Sequence, residues 1–140
     1  MTIEELQREL DTRDFGVLTS GSHQEGDRAF CALEFESVVR GRAFSDQPVT
    51  LPDLRPLNDG FGVGAEADAA RTEALLPVLV ALWDWADWPK ARRKALAAAV
   101  VMETVRQLIA ELPGLPPAVQ AQCRAVRTLA DAEEAADAAA

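Results

Sequence analysis

The chain has 140 residues, 49% of them hydrophobic, with three Trp, five Phe and no Tyr. This is enough apolar material for one domain with a core of its own, so the composition excludes global disorder and predicts no second independent core. The formal net charge of -9 opposes direct binding to nucleic acid or to an anionic membrane, because both need a basic surface.

The cysteine content and the lack of targeting signals predict a cytoplasmic protein. Cys31 and Cys123 are the only cysteines in the sequence, which favours two reduced, buried thiols over a disulfide framework. The N-terminal stretch lacks the basic head and apolar segment of a secretory signal, and no run approaches the roughly 18 apolar residues of a membrane span.

The N-terminal half is predicted to contain two short helices separated by irregular chain. Thr2 and Glu5 have the spacing of a capping box, and the apolar residues after them recur at helical intervals, which predicts a helix over 3–12. A loop follows, with one short β element allowed around 14–20. A second helix is predicted over 30–40, where the apolar residues again have helical spacing and a glycine follows.

A proline- and glycine-rich segment over 41–67 separates this half from the helices that follow. Three prolines and four glycines disfavour both helix and central strand there, so we expect a long covering loop. Asp68 is a suitable N-cap for a helix running to about residue 87, whose apolar centre is typical of a buried helix. Pro77 should kink this helix or mark a late start.

The C-terminal part is predicted to hold the longest helix, over 89–112, and a last helix from about residue 118. Four apolar residues of this last helix recur at helical spacing and should dock on the core: Val119, Cys123, Val126 and Leu129. An Ala-rich tail over 131–140 has no large apolar residue to anchor it, so it should be flexible or helical. The fold class is therefore mainly α, with four to five helices in a single domain over 1–130.

His23, Cys31 and Glu34 are the residues that suggest catalysis. A thiol with a neighbouring imidazole is the arrangement of a cysteine nucleophile, although Cys31 lies in an apolar run where a buried, inert thiol is expected. Glu34 follows Cys31 by one turn on an otherwise apolar face, so its carboxylate needs a partner. Four arginines are candidates for that partner: Arg40, Arg42, Arg55 and Arg71.

Three tryptophans, Trp83, Trp85 and Trp88, are followed closely by Arg92 and further basic residues. Aromatic faces beside guanidinium groups suit stacking on a base or another planar ligand, with the charge directed at a phosphate. Ordinary packing and a protein interface are the alternatives that the sequence leaves open.

The motifs GSH at 21–23, CALE at 31–34, SDQP at 45–48, DLRPLND at 53–59 and WDWADWP at 83–89 resemble those of a family of small bacterial and phage proteins. The resemblance covers roughly residues 20–130 and implies a phage or prophage context without implying an activity. The segment GFGVGAEAD over 60–68 departs from the family pattern, which has a shorter segment containing Trp there. The Ala-rich tail is also briefer in this chain.

Most polar residues in the motifs fall in the loop-rich half. Such side chains either fix loops by bonding to the backbone or ring a pocket. The full set of candidate ligand-binding residues is Ser22, His23, Glu34, Arg40, Ser45, Asp46, Arg55, Asn58, Asp59, Arg71, Trp83, Trp85, Trp88 and Arg92.

We favour a non-enzymatic phage-type binding protein that sequesters a small signalling ligand such as a nucleotide, or inhibits a host protein. It would use no cofactor and no metal. The alternatives are a small hydrolase or transferase built on Cys31, His23 and Glu34, and a virion or assembly accessory protein that docks through its tail. A homo-oligomer is predicted as well, because two apolar helices leave more hydrophobic surface than the short N-terminal half covers.

Overall fold

The computed structural model describes residues 1–13, 16–27 and 29–139, and for Glu133, Ala136 and Ala139 the backbone alone. The predicted fold class is confirmed, because these ranges are mainly helical. They contain no strand, and their one extended pairing is an isolated bridge between Glu25 and Asp27. The β element allowed near 14–20 is not formed over residues 16–20. Residues 14–15 lie outside the described ranges.

Contacts group the chain into two compact units, Met1–Asp87 and Trp88–Ala140, and each is described by itself. The α-helices of the first unit are α1 (Ile3–Arg13), α2 (Ala32–Val39), α3 (Arg55–Asp59) and α4 (Ala65–Ala81). Those of the second are α5 (Lys90–Glu103), α6 (Pro117–Arg124) and α7 (Leu129–Ala139). The composition did not predict this grouping, and the single domain over 1–130 stays a prediction.

The core of the first unit is formed by α1, α2 and α4. The two leucines Leu6 and Leu10 of α1 are fully buried, as are Phe35 of α2 and Leu79 of α4. The predicted capping box of α1 is confirmed: the Thr2 hydroxyl accepts a hydrogen bond from the backbone N–H of Glu5, and the Glu5 carboxylate accepts one from the backbone N–H of Thr2.

The segment over 41–67 is not wholly irregular, and two predictions about it are corrected. Arg55–Asp59 form the short helix α3, with a proline in its first turn. Proline is tolerated there because the backbone N–H that it lacks would have no hydrogen-bond partner within the helix. Helix α4 begins at Ala65 rather than after Asp68. Its N-cap is Gly64, whose φ of 105° suits a glycine.

The end of α4 also differs from the prediction. The helix ends at Ala81, and a separate 3-10 turn over Trp85–Asp87 completes the unit. Pro77 lies inside α4 on its exposed side, so it does not mark a late start.

The helix predicted over 89–112 in the second unit is one helical stretch of changing geometry. The α-helix α5 passes into a π-helical turn over Thr104–Leu108 and then a 3-10 turn over Ile109–Glu111. Pro89 is its N-cap, in line with the predicted start.

The last predicted helix is divided into α6 and α7. Helix α6 ends at Arg124, Val126 is buried in the connection, and Leu129 is 43% exposed at the start of α7 rather than docked on the core. The tail is helical to Ala139. It is anchored by small residues in a buried cluster that consists of Val105, Ala110, Cys123, Val126, Ala132 and Ala135. Among the described residues, no helix is long and apolar enough to cross a bilayer.

Candidate functional site

Glu34 holds the loop before α2 through three hydrogen bonds. It occupies the third position of α2 with only 1% of its surface exposed. Its carboxylate accepts the backbone N–H groups of His23 at 2.6 Å and Cys31 at 2.8 Å, and the ring Nδ1 of His23 lies 2.7 Å away. The predicted arginine partner of Glu34 is therefore wrong, because the residue closes its own helix N-terminus and binds an imidazole instead.

His23 links this carboxylate to Thr19. Its Nε2 lies 3.2 Å from the Thr19 hydroxyl, which is also 3.3 Å from the carbonyl oxygen of Phe30. The order hydroxyl, imidazole, carboxylate is that of a hydrolase relay. Here, however, the backbone N–H of Thr19 also donates to Phe30 at 2.9 Å, so the hydroxyl belongs to a fixed loop contact. Both ring nitrogens of His23 are thus engaged away from Cys31.

The Cys31 thiol lies in an environment unsuited to a nucleophile. The residue is 2% exposed, and burial raises the pKa of its thiol to about 12. The neighbouring Glu34 carboxylate adds to the rise by repelling the thiolate. The reactive anion is therefore a negligible fraction at neutral pH.

Asn58 joins three segments of the first unit. Its amide oxygen accepts the backbone N–H of Ala32 at 3.1 Å, and its amide nitrogen donates to the carbonyl of Thr19 at 2.9 Å. Next to it, Asp59 accepts the backbone N–H of Gly21 at 2.8 Å. This bond, with a second one from the Asn58 side chain, lowers the pKa of the Asp59 carboxyl.

Arg71 of α4 is fully buried and binds the backbone of three segments that precede its helix. Its guanidinium donates to the carbonyl oxygens of Asn58 at 2.7 Å and Leu18 at 3.2 Å, and also to that of Gly62. The Asp68 carboxylate pairs with the same guanidinium. A buried charge with this many acceptors is compensated, which gives Arg71 a structural role.

Ser22, Ser45 and Asp46 connect the loops over 20–24 and 42–47. The Ser22 hydroxyl donates to Asp46 at 2.7 Å, and the backbone N–H of Ser45 donates to the Ser37 hydroxyl at 3.3 Å. Ser37 in turn donates to the carbonyl of Glu34 at 2.8 Å. Hydrogen bonds therefore join a set of polar residues that we call the network, and Ser22 pairs with Asp46. The network consists of Thr19, His23, Glu34, Ser37, Ser45, Asn58, Asp59 and Arg71.

A second buried carboxylate, Glu36, was not among the predicted residues. It is 1% exposed and accepts hydrogen bonds from the Arg40 and Arg42 guanidinium groups and the Thr50 hydroxyl. Arg40 also stacks on Trp83, with 4.2 Å between the guanidinium carbon and the ring centroid. A carboxylate within the apolar run FCALEFESVV, with two arginines just after it, is the signal that would have identified Glu36.

Four of the predicted residues lie apart from this network. Arg55 pairs with Asp53 on the surface. Trp85 is half-buried in the 3-10 turn of the first unit. In the second unit, Arg92 stacks on Trp88 at 3.6 Å. The three tryptophans are thus divided between the two units, with Trp83 and Trp85 in the first and Trp88 in the second.

A cleft of about 440 Å³ opens beside the network in the first unit. Its walls carry residues of three kinds, two aromatic, two acidic and two basic: Phe30, Phe44, Glu25, Asp27, Arg13 and Arg42. The two phenyl rings are 5.9 Å apart and tilted by 48°. None of these residues was a predicted ligand-binding residue, and Arg42 was named only as a possible partner of Glu34.

Arg42 connects the cleft to the buried carboxylate. One of its terminal nitrogens donates to Glu36, while its Nε is buried and has no partner among the described residues. The guanidinium is therefore held at the wall of the cleft by one acidic contact.

Among the described residues, no three His, Cys, Asp or Glu side chains gather in a group that could hold a metal ion. No family model matches the chain, and neither the curated proteins nor the solved structures give a match. The resemblance to small bacterial and phage proteins stays a prediction.

Proposed function

We propose that the protein is a non-enzymatic, phage-type binding protein whose first unit sequesters a small nucleotide-like ligand in the cleft beside α2. The observation that carries this proposal is the cleft itself, of about 440 Å³ with paired phenyl rings and side chains of both charges. Its volume is within the range of about 300–1,000 Å³ that small-molecule sites occupy. Such a ligand would be met in the host cytoplasm.

The chemistry of the walls fits a ligand that carries an anionic group and hydrogen-bond donors on a planar ring. Arg13 and Arg42 suit a phosphate, and Phe44 is half-exposed and offers a face for stacking. Glu25 and Asp27 suit the amino group of a base. The described lining residues include two acidic and two basic side chains. A simple ion, which has no ring to stack and no hydrogen-bond donors, should therefore bind more weakly than a nucleotide.

The hydrogen-bonded network supports binding by fixing the loops that form the walls. The loop over 22–27 is tied to α2 at His23, where Glu34 accepts both a backbone and a ring N–H. A wall held in place before the ligand arrives loses little entropy on binding. The buried, protonated thiol of Cys31 fits a binding role and not a nucleophilic one.

Native mass spectrometry of the gently purified chain, before and after denaturation, tests the proposal. We expect a released mass of nucleotide size, and we expect calorimetry with a panel of mononucleotides to identify the base. A clean apo mass together with no heat from any mononucleotide would contradict the proposal and make capture of a host protein the next hypothesis.

A matched pair of variants locates the site. Phe44→Ala should weaken mononucleotide binding about 5- to 150-fold, since one base-aromatic stack contributes roughly 1–3 kcal/mol. Phe61→Ala removes another half-exposed phenyl ring of the same unit that does not line the cleft. It should bind as the wild type does, and equal losses in both variants would place the ligand elsewhere.

A further inference from the structure

The second unit leaves an apolar side of α5 open. Val100 is 56% exposed, Val101 is 45% exposed, and Leu108 is 67% exposed. Together with the exposed Ala97, they recur along the helix and the turn after it: Val100 and Val101 follow Ala97 by three and four residues, and Leu108 follows Val101 by seven. This spacing keeps them on one side of a helical stretch. We call Ala97, Val100, Val101 and Leu108 the α5 stripe.

The core of the second unit is too small to account for this stripe. Among the described side chains of this unit, those fully buried in the cluster are alanine, cysteine and valine, and Met102, Ile109 and Val119 pack against it while partly exposed. Helix α5 has no buried residue over its whole length, Lys90–Glu103. A unit of about 50 residues is marginally stable by itself, and oligomerisation is a common way to cover its remaining apolar surface.

The charge distribution allows two copies to meet at this surface. Residues 88–140 carry seven basic and six acidic residues, whereas residues 1–87 carry seven basic and 17 acidic ones. Like-charge repulsion between copies therefore comes mainly from the first unit. Two copies of this acidic chain should therefore repel each other least when they associate through the second unit, whose net charge is nearly zero.

The charges along the helical stretch are also complementary to the same stretch in reverse. Lys90, Arg92, Arg93 and Lys94 precede the stripe, Glu103 and Arg106 lie within its span, and Glu111 lies beyond its far end. Glu111 already pairs with Arg124 and Glu103 with Arg106, but these pairs are solvent-exposed and weak, so their carboxylates can be shared. An antiparallel arrangement brings each basic end beside an acidic end, whereas a parallel one brings like charges together.

We propose that the α5 stripe is a self-association surface, where a second copy of this chain packs its own stripe antiparallel about a two-fold axis. An isologous contact of this kind needs one self-complementary surface, which is what the charge order supplies. The inference is independent of the ligand cleft, because it concerns only residues of the second unit.

The molar mass of the full chain in solution tests the proposal. Light scattering coupled to size exclusion should give twice the 15.1 kDa chain mass. Leu108→Glu should reduce it to that of a single chain without loss of helical circular dichroism. Val63→Glu is the matched control, because Val63 is 84% exposed in the other unit and should leave the dimer intact. A monomeric wild-type chain, or a dimeric Leu108→Glu variant, would overturn the proposal.

Cross-linking tests the orientation. In an antiparallel pair, residues near the middle of the stretch face their own copies and residues at the ends do not. Val101→Cys should therefore form an intermolecular disulfide under mild oxidation, while Leu112→Cys should not. Equal cross-linking of both variants would indicate a parallel pair and would contradict the charge argument.

Discussion

Replacing Glu34 should destabilise the first unit far more than replacing an exposed glutamate. Glu34→Ala leaves three donors without an acceptor, namely the backbone N–H groups of His23 and Cys31 and the His23 ring. A buried donor left unpaired costs about 1–3 kcal/mol, and water reaches the partly exposed His23, so we expect a loss of about 3–6 kcal/mol. That is a large part of the roughly 5–15 kcal/mol that stabilises a typical protein.

Residue-resolved amide hydrogen exchange is the appropriate assay, because it follows the first unit alone where a global unfolding curve would average both units. The Cys31 amide should exchange at least about 100-fold faster in Glu34→Ala than in the wild type, since every 1.4 kcal/mol is about tenfold. The control is Glu73→Ala, an exposed position on α4, which should stay within about 0.5 kcal/mol. Equal protection of Cys31 in both variants would refute the structural role assigned to Glu34.

Three further predictions follow from buried or hydrogen-bonded groups. Asp59 accepts a backbone N–H from Gly21, which lowers the pKa of its carboxyl. Its stabilising effect is therefore present above about pH 4 and lost as the pH falls through the lowered pKa, so Asp59→Asn should flatten the acid side of a stability-pH curve. Burial raises the pKa of the Cys31 thiol to about 12, so this thiol should resist alkylation by iodoacetamide at pH 8 until the chain is denatured. Mass spectrometry of the labelled peptides checks this, and alkylation of Cys31 in the native protein would contradict it. Ala135→Glu places a charge in the buried cluster, so the amides of α7 should exchange their hydrogens faster than in the wild type. Ala138→Glu changes an exposed residue of the same helix and should leave the exchange rates unchanged.

Local sequence signals predicted the helices where a helix has its own start and stop chemistry. The capping box of Thr2 and Glu5 marked α1, and the apolar spacing marked α2. The errors arose where proline or aspartate was assigned a fixed meaning. Pro56 lies in the first turn of α3 rather than preventing it, and Asp68 binds Arg71 from the first turn of α4 instead of capping the helix. The N-cap positions belong to other residues, Leu54 before α3 and Gly64 before α4.

The C-terminal tail illustrates a different limit of sequence reasoning. The sequence has no large apolar residue there, which predicted no anchor, yet Ala132 and Ala135 are buried on α7. A methyl group suffices as an anchor when the opposing surface approaches closely, and Cys123 of α6 is fully buried in the same cluster. Close approach is a property of the packed helices rather than of the segment, so composition alone could not predict it.

The structure brings several of the candidate residues of the loop-rich half into contact with one another, and most of those contacts fix loops. Side chains such as Asn58 and Arg71 bind backbone groups of distant loops, which leaves them few hydrogen bonds to offer a ligand. Polar residues that fix loops and polar residues that bind ligands have the same composition, so the sequence could not separate them. Burial distinguishes the two roles, because Arg71 is fully enclosed while Arg42 is partly exposed and lines the cleft. Ligand specificity should therefore depend on the cleft walls, and mutations in the network should affect binding through the stability of the loops that carry those walls.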